Sequence, residues 1–578
     1  MYLKMGFGSQ TTYHHNFFQS SSHFLNGSTA LSIINPLGLL SLILFLPFVA
    51  MGLMAFLPSN KILYFKALSL ITSLLQLLLF LGMVLPSYHI SLQKGNFGIN
   101  KPTAFACAEK VNWILMDLGT AGKLKIDYFI ALDGLNILMV LLSLIIMVIA
   151  VIAAWNIEKS IKSFFMLLML LNTAMLGCFM ALDFFLFYIF YELMLLPMFF
   201  LIGIWGAERR EYAAMKFFLY TLVGSVFILL VMAGLAFSFT DGTDIHTLNM
   251  VKMMEVGADG KLLNIVKGSI FDFDSQIWGH NARLLAFIVT FIAFAIKVPV
   301  VPLHTWLPDA HVEAPTSISV ILAGILLKVG GYGILRVCYG IFPEGATYFA
   351  LFIGILGTIS MIYGAFVAMA QKDLKALVAY SSVSHLGYTL LGMASLEAAG
   401  INGAILQLFN HGLTSAMLFL LVGVIYDRVH NREIALFSGL WEKMPSYSFF
   451  VLIAFFASLG LPGFNAFVSE FLVFMGAFQS HTHTNGLPVA VPAVAILAIL
   501  LGAVYFLRTY RSMFFGKFAP IGSDNWAAKL SDLTVREYIM LIPLAIMLLL
   551  FGIMPQLLLH LSEGSVAKLL EHVLGINR

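Results

Sequence analysis

The chain has 578 residues, is 60% hydrophobic and 11% charged, and carries a formal net charge of +3. Soluble domains are roughly one quarter charged, so this composition excludes a water-facing surface over most of the chain. The small charge is spread over loops, so no nucleic-acid partner is predicted. The three cysteines, Cys107, Cys178 and Cys338, offer neither a disulfide framework nor ligands for a cysteine-bound cluster.

After a polar N-terminal tail the chain divides into apolar blocks of about 20 residues, the length at which a helix spans a bilayer. The first block is too long for a cleaved signal peptide and is interpreted as an uncleaved span. The blocks lack the alternation of barrel strands, so the sequence predicts an all-α polytopic protein in a lipid bilayer. The fourteen predicted spans are 34–57, 63–85, 129–154, 164–182, 183–205, 213–239, 283–304, 317–340, 348–370, 374–393, 401–426, 447–478, 489–515 and 537–560.

Lysine and arginine are distributed unequally between the short loops. They follow the odd-numbered spans, whereas the short loops FPEGAT, SLEAAG and QSHTHTNGLP after spans 8, 10 and 12 have none. Positive charge marks the cytoplasmic side, so both termini are predicted to lie on the outer face. The long loops 86–128 and 240–282 contain lysine, but long loops cross largely regardless of charge and are predicted to lie outward.

Two predicted spans contain helix breakers, KVP at 297–299 and GLPG at 460–463. Each is the fourth helix of a five-helix block, spans 4–8 and spans 9–13. Because five is odd, the second block must run inverted, as in secondary transporters whose function lies near broken helices. The predicted division is a tail at 1–33, spans 1–3 at 34–163, a first repeat at 164–340, a second at 348–515, and span 14 with a C-terminal tail at 516–578.

Four charged residues stand well inside predicted spans: Glu192, Lys297, Lys328 and Glu470. A charge at the bilayer centre costs about 2.5–3.5 kcal/mol on insertion scales. Snorkelling is an alternative for Lys328, and a purely structural role is an alternative for each of the four. Glutamate is too short to snorkel, however, and Glu470 lies about two helical turns beyond Pro462. Together the four residues predict an internal polar axis.

Burial lowers the pKa of a lysine and raises that of a glutamate, and a nearby opposite charge counteracts both shifts. Lys297, beside a break that water can reach, is therefore a candidate proton carrier controlled by a movable acid. Histidine titrates near neutrality, so His385 and His411 are further candidates on the axis, and His304 is another. A neutral histidine hydrogen-bonded within the bundle is an equal alternative for His385.

Other chemistry finds little support in the sequence. His304 and His311 are seven residues apart with Asp309 between them, but the prolines in this segment disfavour a helical ligand face, and no metal is predicted. There is no phosphate-binding loop, no dinucleotide-binding glycine motif and no cysteine run for iron–sulfur clusters. The chain is therefore predicted to bind no cofactor and to carry no electrons.

The segment KVPVVPLHTWLPDAHVEAPTSISVILAGILLKVGGYGILR resembles the signature of the antiporter-like membrane subunits of respiratory complex I. The resemblance continues through QKDLKALVAYSSVSHLGY, LFNHGLTSAMLFLLVG and LPGFNAFVSEF and covers about residues 125–515. Two features favour the M-type branch, the counterpart of mitochondrial subunit 4. Glu470 stands where the L-type and N-type chains have lysine, and no long lateral helix follows span 14.

The resemblance implies that Glu192 pairs with Lys297 and that Lys328, His411 and Glu470 continue the proton path. It further implies a non-redox, proton-translocating subunit of NADH:quinone oxidoreductase in a bacterial inner membrane. FMN, iron–sulfur clusters, NADH and quinone would then bind partner subunits, among which are the L-type and N-type chains. A subunit of a sodium/proton antiporter or of a hydrogenase-type complex remains the alternative. A structural scaffold is disfavoured by the insertion cost of four charges.

Overall fold

The computed structural model describes residues 38–93, 95, 105–119, 122–257, 261–482, 486–518 and 530–575. The predicted N-terminal tail at 1–33 lies outside these residues. The main helices are α1 Leu39–Phe56, α2 Ile62–Gln93, α3 Ile137–Asn156, α4 Ile161–Met180, α5 Phe184–Trp205, α6 Arg210–Ala236, α7 Ala282–Lys297, α8 Trp306–Glu313, α9 Thr316–Tyr339, α10 Ala350–Met369, α11 Leu374–Ala394, α12 Ala398–Val429, α13 Pro445–Ser458, α14 Asn465–Gln479, α15 Ala490–Phe514, α16 Val535–Ile553 and α17 Gln556–Gly575.

The protein is a multi-pass membrane protein. Eleven helices among the described residues are long and apolar enough to cross a bilayer. The other three predicted spans correspond to α7 with the non-helical segment after it, to α11, and to α13 followed by α14. Helix α8 begins at Trp306, beyond the end of the predicted span 283–304. Both predicted breaks are present, because helix stops at Lys297 and resumes at Trp306, and stops at Ser458 and resumes at Asn465.

The prediction of a purely α-helical chain is wrong in the loop 86–128. This region contains strands β1 (Ala106–Asp117) and β2 (Lys123–Leu132), which form an antiparallel hairpin, and β3 (Ile245–Thr247) pairs parallel to β2. The apolar end of β2 leads almost directly into α3, so hydropathy placed the start of span 3 at 129. A buried strand and the start of a buried helix cannot be distinguished by apolar content alone.

The C-terminal region also differs from the prediction. The predicted span 537–560 is two helices, and α17 turns to pack across the ends of α2 and of the segment before α3. Tyr88 Oη donates to Leu561 O at 2.8 Å, and Gly134 N donates to Ser565 Oγ at 2.9 Å. The hairpin and α17 therefore lie at one face of the molecule, which we call the hairpin face.

The opposite face carries the loop cations and is called the basic face, defined by Lys159, Arg209 and Arg432. Lys159 Nζ donates to Ile204 O at the end of α5 at 3.0 Å. Arg209 N donates to Glu313 Oε2 at 2.9 Å, and Arg432 Nη1 donates to Val312 O at 2.8 Å, so both hold the end of α8.

Helices α9 and α12 form the centre of the bundle, since both are fully buried over their apolar windows. They approach closely at two glycines. A Cβ on Gly412 would lie 2.9 Å from Gly324 O, a contact that any larger residue would obstruct. Small residues of this kind let membrane helices pack backbone to backbone. The close approach brings the neighbouring Lys328 and His411 together.

Helix α5 begins at a short backbone clasp. Asp183 caps it by accepting from Phe185 N at 3.0 Å and from Leu186 N at 3.3 Å. Asp183 also pairs antiparallel with Asn249 in the segment after α6. The clasp hydrogen bonds are Phe184 N to Leu248 O at 2.8 Å and Met250 N to Leu182 O at 2.9 Å.

Helix α11 begins in the same way at the basic face. Asp373 accepts from Lys375 N at 2.7 Å and from Ala376 N at 3.0 Å, and it pairs antiparallel with Glu433 after α12. The clasp hydrogen bonds are Leu374 N to Arg432 O at 2.9 Å and Ile434 N to Lys372 O at 2.8 Å. The two clasps thus share the same capping residue and the same backbone pattern.

The two helix breaks also share one backbone pattern. In the first, Val300 N donates five residues back to Ala295 O at 3.0 Å, and Leu303 N donates to Val300 O at 2.6 Å. In the second, Leu461 N donates to Phe456 O at 3.3 Å, and Phe464 N donates to Leu461 O at 3.0 Å. Val300 and Leu461 therefore occupy matching positions.

Candidate functional site

The centre of the candidate site is a contact between two buried side chains on α9 and α12. Lys328 Nζ lies 2.8 Å from His411 Nδ1 and also donates to Ala323 O on its own helix. Lys328 is fully buried and His411 is 5% exposed, so water cannot solvate the ammonium group directly. Helix α9 is π-helical at 322–326, directly before Lys328, a local widening that occurs often at functional sites.

His385 on α11 extends this contact toward α14. Its ring centroid lies 5.8 Å from that of His411, and its Nδ1 lies 3.5 Å from Glu470 Oε1. On the other side of the ring, Nε2 lies 3.2 Å from Ser458 Oγ, the last residue of α13. Four predicted residues, Lys328, His411, His385 and Glu470, therefore form one continuous row.

The carboxylate of Glu470 lies against the second helix break, beside Gly460. Gly460 has φ of +66°, a conformation that favours glycine. A Cβ on Gly460 would lie 2.6 Å from Glu470 Oε2. Glycine at this position therefore permits both the left-handed backbone conformation of the turn and the close approach of the Glu470 carboxylate.

Lys297 and Glu192 form a separate polar group near the first break. Lys297 is 1% exposed, and its Nζ lies 4.4 Å from the ring centroid of Tyr191, a cation–π contact. Within the described part of the chain, Lys297 Nζ and Glu192 Oε1 have no hydrogen-bond partner. A direct ion pair between them thus stays a prediction. Helix α9 passes close by, because a Cβ on Gly330 would lie 2.9 Å from Val298 N.

Two further histidines, His304 and His311, are buried against aromatic rings, and His311 is near enough to Lys328 and His411 to interact with their charges. His304 is buried after the first break, with its ring centroid 5.1 Å from that of Tyr363 and 6.2 Å from that of Tyr380. His311 is fully buried and stacks on Phe419 at 4.3 Å between centroids. The structure therefore does not bring His304 to the other predicted residues.

Sequence reasoning missed the neutral polar groups beside the row. Ser469 Oγ donates to Gln407 Oε1 at 2.5 Å, and Asn410 Nδ2 donates to Asn465 O at 2.8 Å. These side chains carry no charge and stand singly in apolar blocks, so an inventory of charges passes over them. The signal that could have found them is the pair of amides, Gln407 and Asn410, that precedes His411 in QLFNHG.

The row can pass protons but offers no ligand set. Imidazole, ammonium, carboxylate and hydroxyl groups each accept or donate a proton at a stated atom. Among the residues that the structure describes, no group of three or more His, Cys, Asp or Glu side chains could hold a metal ion. The arrangement is suited to a proton relay.

Comparison with known proteins defines the class. Residues 181–497 match the membrane-spanning region of the NADH:quinone oxidoreductase/Mrp antiporter family, and the chain belongs to this family. It is 40% identical to NADH-quinone oxidoreductase subunit M of Rhodobacter capsulatus over 455 residues, 77% of this chain and 83% of that protein. It is 36% identical to NADH-ubiquinone oxidoreductase chain 4 of Marchantia polymorpha over 82% of this chain and 87% of that protein.

Solved structures give the same fold. A chain of respiratory complex I from Thermus thermophilus with bound NADH superimposes with a TM-score of 0.73 at 28% identity, covering 92% of this chain and 99% of that chain. A chain of the Mrp complex from Dietzia superimposes with a TM-score of 0.71, covering 93% and 99%. At 20% identity, the second likeness concerns the fold alone.

Proposed function

We propose that this chain is the M-type proton-translocating subunit in the membrane arm of NADH–quinone oxidoreductase. The observation that carries the proposal is the row Lys328–His411–His385–Glu470, whose four side chains are all buried in the helix bundle. A row of titratable groups is costly to bury and suits proton transfer. The names of the relatives at 36–40% identity favour complex I over the antiporter and hydrogenase-type alternatives.

The proton path begins at the basic face, which we assign to the cytoplasm. Lys297 holds a proton while Glu192 is close and releases it toward Lys328 when the acid moves away, because an opposite charge favours the charged lysine. The proton then follows the row to Glu470 and leaves on the hairpin side. The position of Lys297 against the Tyr191 ring supports a state in which the acid is not paired with it.

The topology is part of the proposal. Fourteen spans in a bacterial inner membrane place both termini outside, and spans 4–8 and 9–13 are two inverted repeats. The matched clasps at Asp183 and Asp373 and the matched breaks at Val300 and Leu461 support the inversion. Other complex I subunits, including L-type and N-type chains, are the proposed partners, and the redox cofactors bind elsewhere in the assembly.

The test is to tag this chain, purify its assembly in mild detergent and reconstitute it in vesicles. NADH–quinone reduction accompanied by proton pumping is the expected result. Sodium–proton exchange that needs no NADH, in an assembly without flavin or iron–sulfur absorbance, would instead establish the antiporter alternative.

A further inference from the structure

Each of the two matched helix breaks is followed by a carboxylate residue, Asp309 after the first and Glu470 after the second, and the two have different surroundings. Asp309 stands nine residues after Val300, and Glu470 stands nine residues after Leu461. Val300 and Leu461 make the same five-residue backbone hydrogen bond, so Asp309 and Glu470 stand at the same chain distance from matched positions. The helices resume at different offsets, because α8 begins six residues after Val300 and α14 begins four residues after Leu461. One lies on α8 and the other on α14, the half-helices that follow the two breaks.

These half-helices run toward opposite faces. Helix α8 ends at Glu313, which is held by Arg209 of the basic face. Helix α13 begins at the basic face, where Asp532 accepts from Ser446 N at 2.9 Å, so α14 continues away from that face. Asp309 therefore lies in the membrane half opposite to that of Glu470.

Asp309 has a cationic partner and partial access to the outside of the chain. Its Oδ2 lies 2.7 Å from Lys216 Nζ on α6, and the two side chains are 28% and 20% exposed. Lys216 Nζ also lies 5.6 Å from the ring centroid of Tyr212, one turn nearer the start of α6 at the basic face. An ion pair at this position needs water or protein beside it, since lipid does not satisfy it.

Further polar groups lie one helical turn farther from the basic face, at an exposed contact. Tyr220 Oη and Thr305 Oγ1 are 2.9 Å apart, joining α6 to the segment before α8. The adjacent His304 is buried, and its Nδ1 has no hydrogen-bond partner among the described residues. The histidine that does not join the central row thus lies one residue from this polar contact.

We propose that Asp309 is the proton-uptake carboxylate of the first repeat, the counterpart on the basic side of Glu470 on the hairpin side. Asp309 takes a proton from hydronium at the basic face, becomes neutral, and returns to the carboxylate when the proton passes inward by way of His304. Between transfers, the ion pair with Lys216 holds the deprotonated Asp309 side chain in position. This inference rests on the proposed function and names a residue outside the predicted axis.

The first experiment separates proton uptake from a structural ion pair. Asp309→Asn is expected to slow NADH-driven pumping about 100-fold, the low end for loss of a positioned acid–base group. Asp309→Glu should restore most of the rate because it can still titrate. The double variant Asp309→Asn with Lys216→Gln replaces the ion pair by a neutral hydrogen-bonded pair. If it restores pumping, the pair is structural and the inference is wrong.

The second experiment measures access. Asp309→Cys is treated with a membrane-impermeant thiol reagent, and labelling is expected only from the basic face. Background should be low, because Cys178 and Cys338 are fully buried, and burial with the nearby Glu109 carboxylate raises the pKa of the Cys107 thiol to about 11. Labelling from the hairpin face, or none in an assembled complex, would overturn the inference.

A comparison variant keeps the two proposals distinguishable. Lys297→Met tests the proposed function and is measured beside Asp309→Asn in the same vesicles. If Lys297→Met abolishes pumping while Asp309→Asn pumps normally, only the role of Asp309 is wrong. If wild-type vesicles show no NADH-dependent pumping, the proposed function itself fails.

Discussion

Lys328 and Arg336 are both buried cations on α9, yet their partners differ. Arg336 Nη2 donates to both carboxylate oxygens of Asp133 at 2.6 Å, and arginine does not lose its proton in proteins. Lys328 has a carbonyl and an imidazole as its neighbours and no acid among its described contacts. An ammonium group without a buried counter-ion gives up its proton more readily. Arg336 is therefore structural, whereas Lys328 can carry a proton.

His411 stands between Lys328 and His385, so replacing it interrupts the row. His411→Gln keeps a polar side chain but removes the titrating ring, and we expect pumping to fall about 100-fold. The control is His430→Gln at the exposed end of the same helix, which should pump like the wild type. Equal pumping by both variants would exclude His411 from the path, and the measurement is the initial pumping rate per assembled complex.

At the residue scale the sequence identified the charged members of the site because a charge in an apolar block is conspicuous. It did not reveal which helices touch. The close contact of Gly324 with Gly412 joins Lys328 to His411, and nothing in the local pattern pairs these two glycines. His304 has the same chemistry as His385 but points to Tyr363 and Tyr380, a difference that only the tertiary packing decides.

At the basic face, lysine side chains donate hydrogen bonds to the free carbonyl groups at the C-terminal ends of several helices. Lys162 Nζ donates to Ala55 O at 2.8 Å and to Leu57 O at 2.9 Å, at the end of α1. Lys66 Nζ donates to Trp155 O at 2.7 Å, at the end of α3. Cations at helix C-termini satisfy free carbonyls and complement the helix dipole. Lys162, one of the loop lysines used to predict orientation, thus also caps a helix.

The clasp at the start of α11 can be tested through its cap. Asp373→Ala removes the acceptor for two backbone N–H groups and is expected to cost about 1 kcal/mol, whereas Asp373→Ser keeps a cap. The readout is the apparent Tm of the purified assembly. Asp183→Ala should lower the Tm in the same way, at the matching clasp.

Asp373 also lies 3.1 Å from Arg432 Nε, which gives the experiment a second outcome. If the serine variant is as unstable as the alanine variant, Asp373 stabilises the assembly through its ion pair with Arg432 and not through the helix cap. A half-exposed pair of this kind is worth little in isolation, so we expect the serine variant to resemble the wild type.

Hydropathy predicted the long membrane-spanning helices but not the short elements. The blocks of about 20 apolar residues located the spans, and the KVP and GLPG motifs located both breaks. The hairpin was missed because the apolar end of β2 was joined to span 3, although Asp133, Gly134 and Asn136 separate β2 from α3. The end of α16 and the start of α17 were merged for the same reason. In each case only a few residues separate two apolar elements, and hydropathy read over the length of a span joins them.

At the scale of the whole molecule, the orientation of the chain in the membrane is predicted from the chain segments that lie at the same face. Helix α17 packs beside the hairpin, so a reporter fused after Arg578 is expected on the outer side. An alkaline phosphatase fusion there should be active, and the same reporter inserted at Glu158 in the basic face should be inactive. The reverse pattern would invert the proposed topology and the direction of the proton path.

The proposed inverted repeat is indicated in the sequence only by the positions of the two breaks. Residue types differ between the halves, since Lys297 ends α7 where Ser458 ends α13. The backbone pattern at clasps and breaks is shared even though the side chains are not. The division into residues 164–340 and 348–515 stays a prediction.

Proton translocation is tested most directly by the number of protons pumped per NADH oxidised in reconstituted vesicles. The comparison is between wild type, Glu192→Gln and Lys297→Met, with equal amounts of this chain confirmed in each assembly. We predict that both variants assemble and that pumping is suppressed in both. Wild-type stoichiometry in both variants would contradict the proposed switch at Glu192 and Lys297.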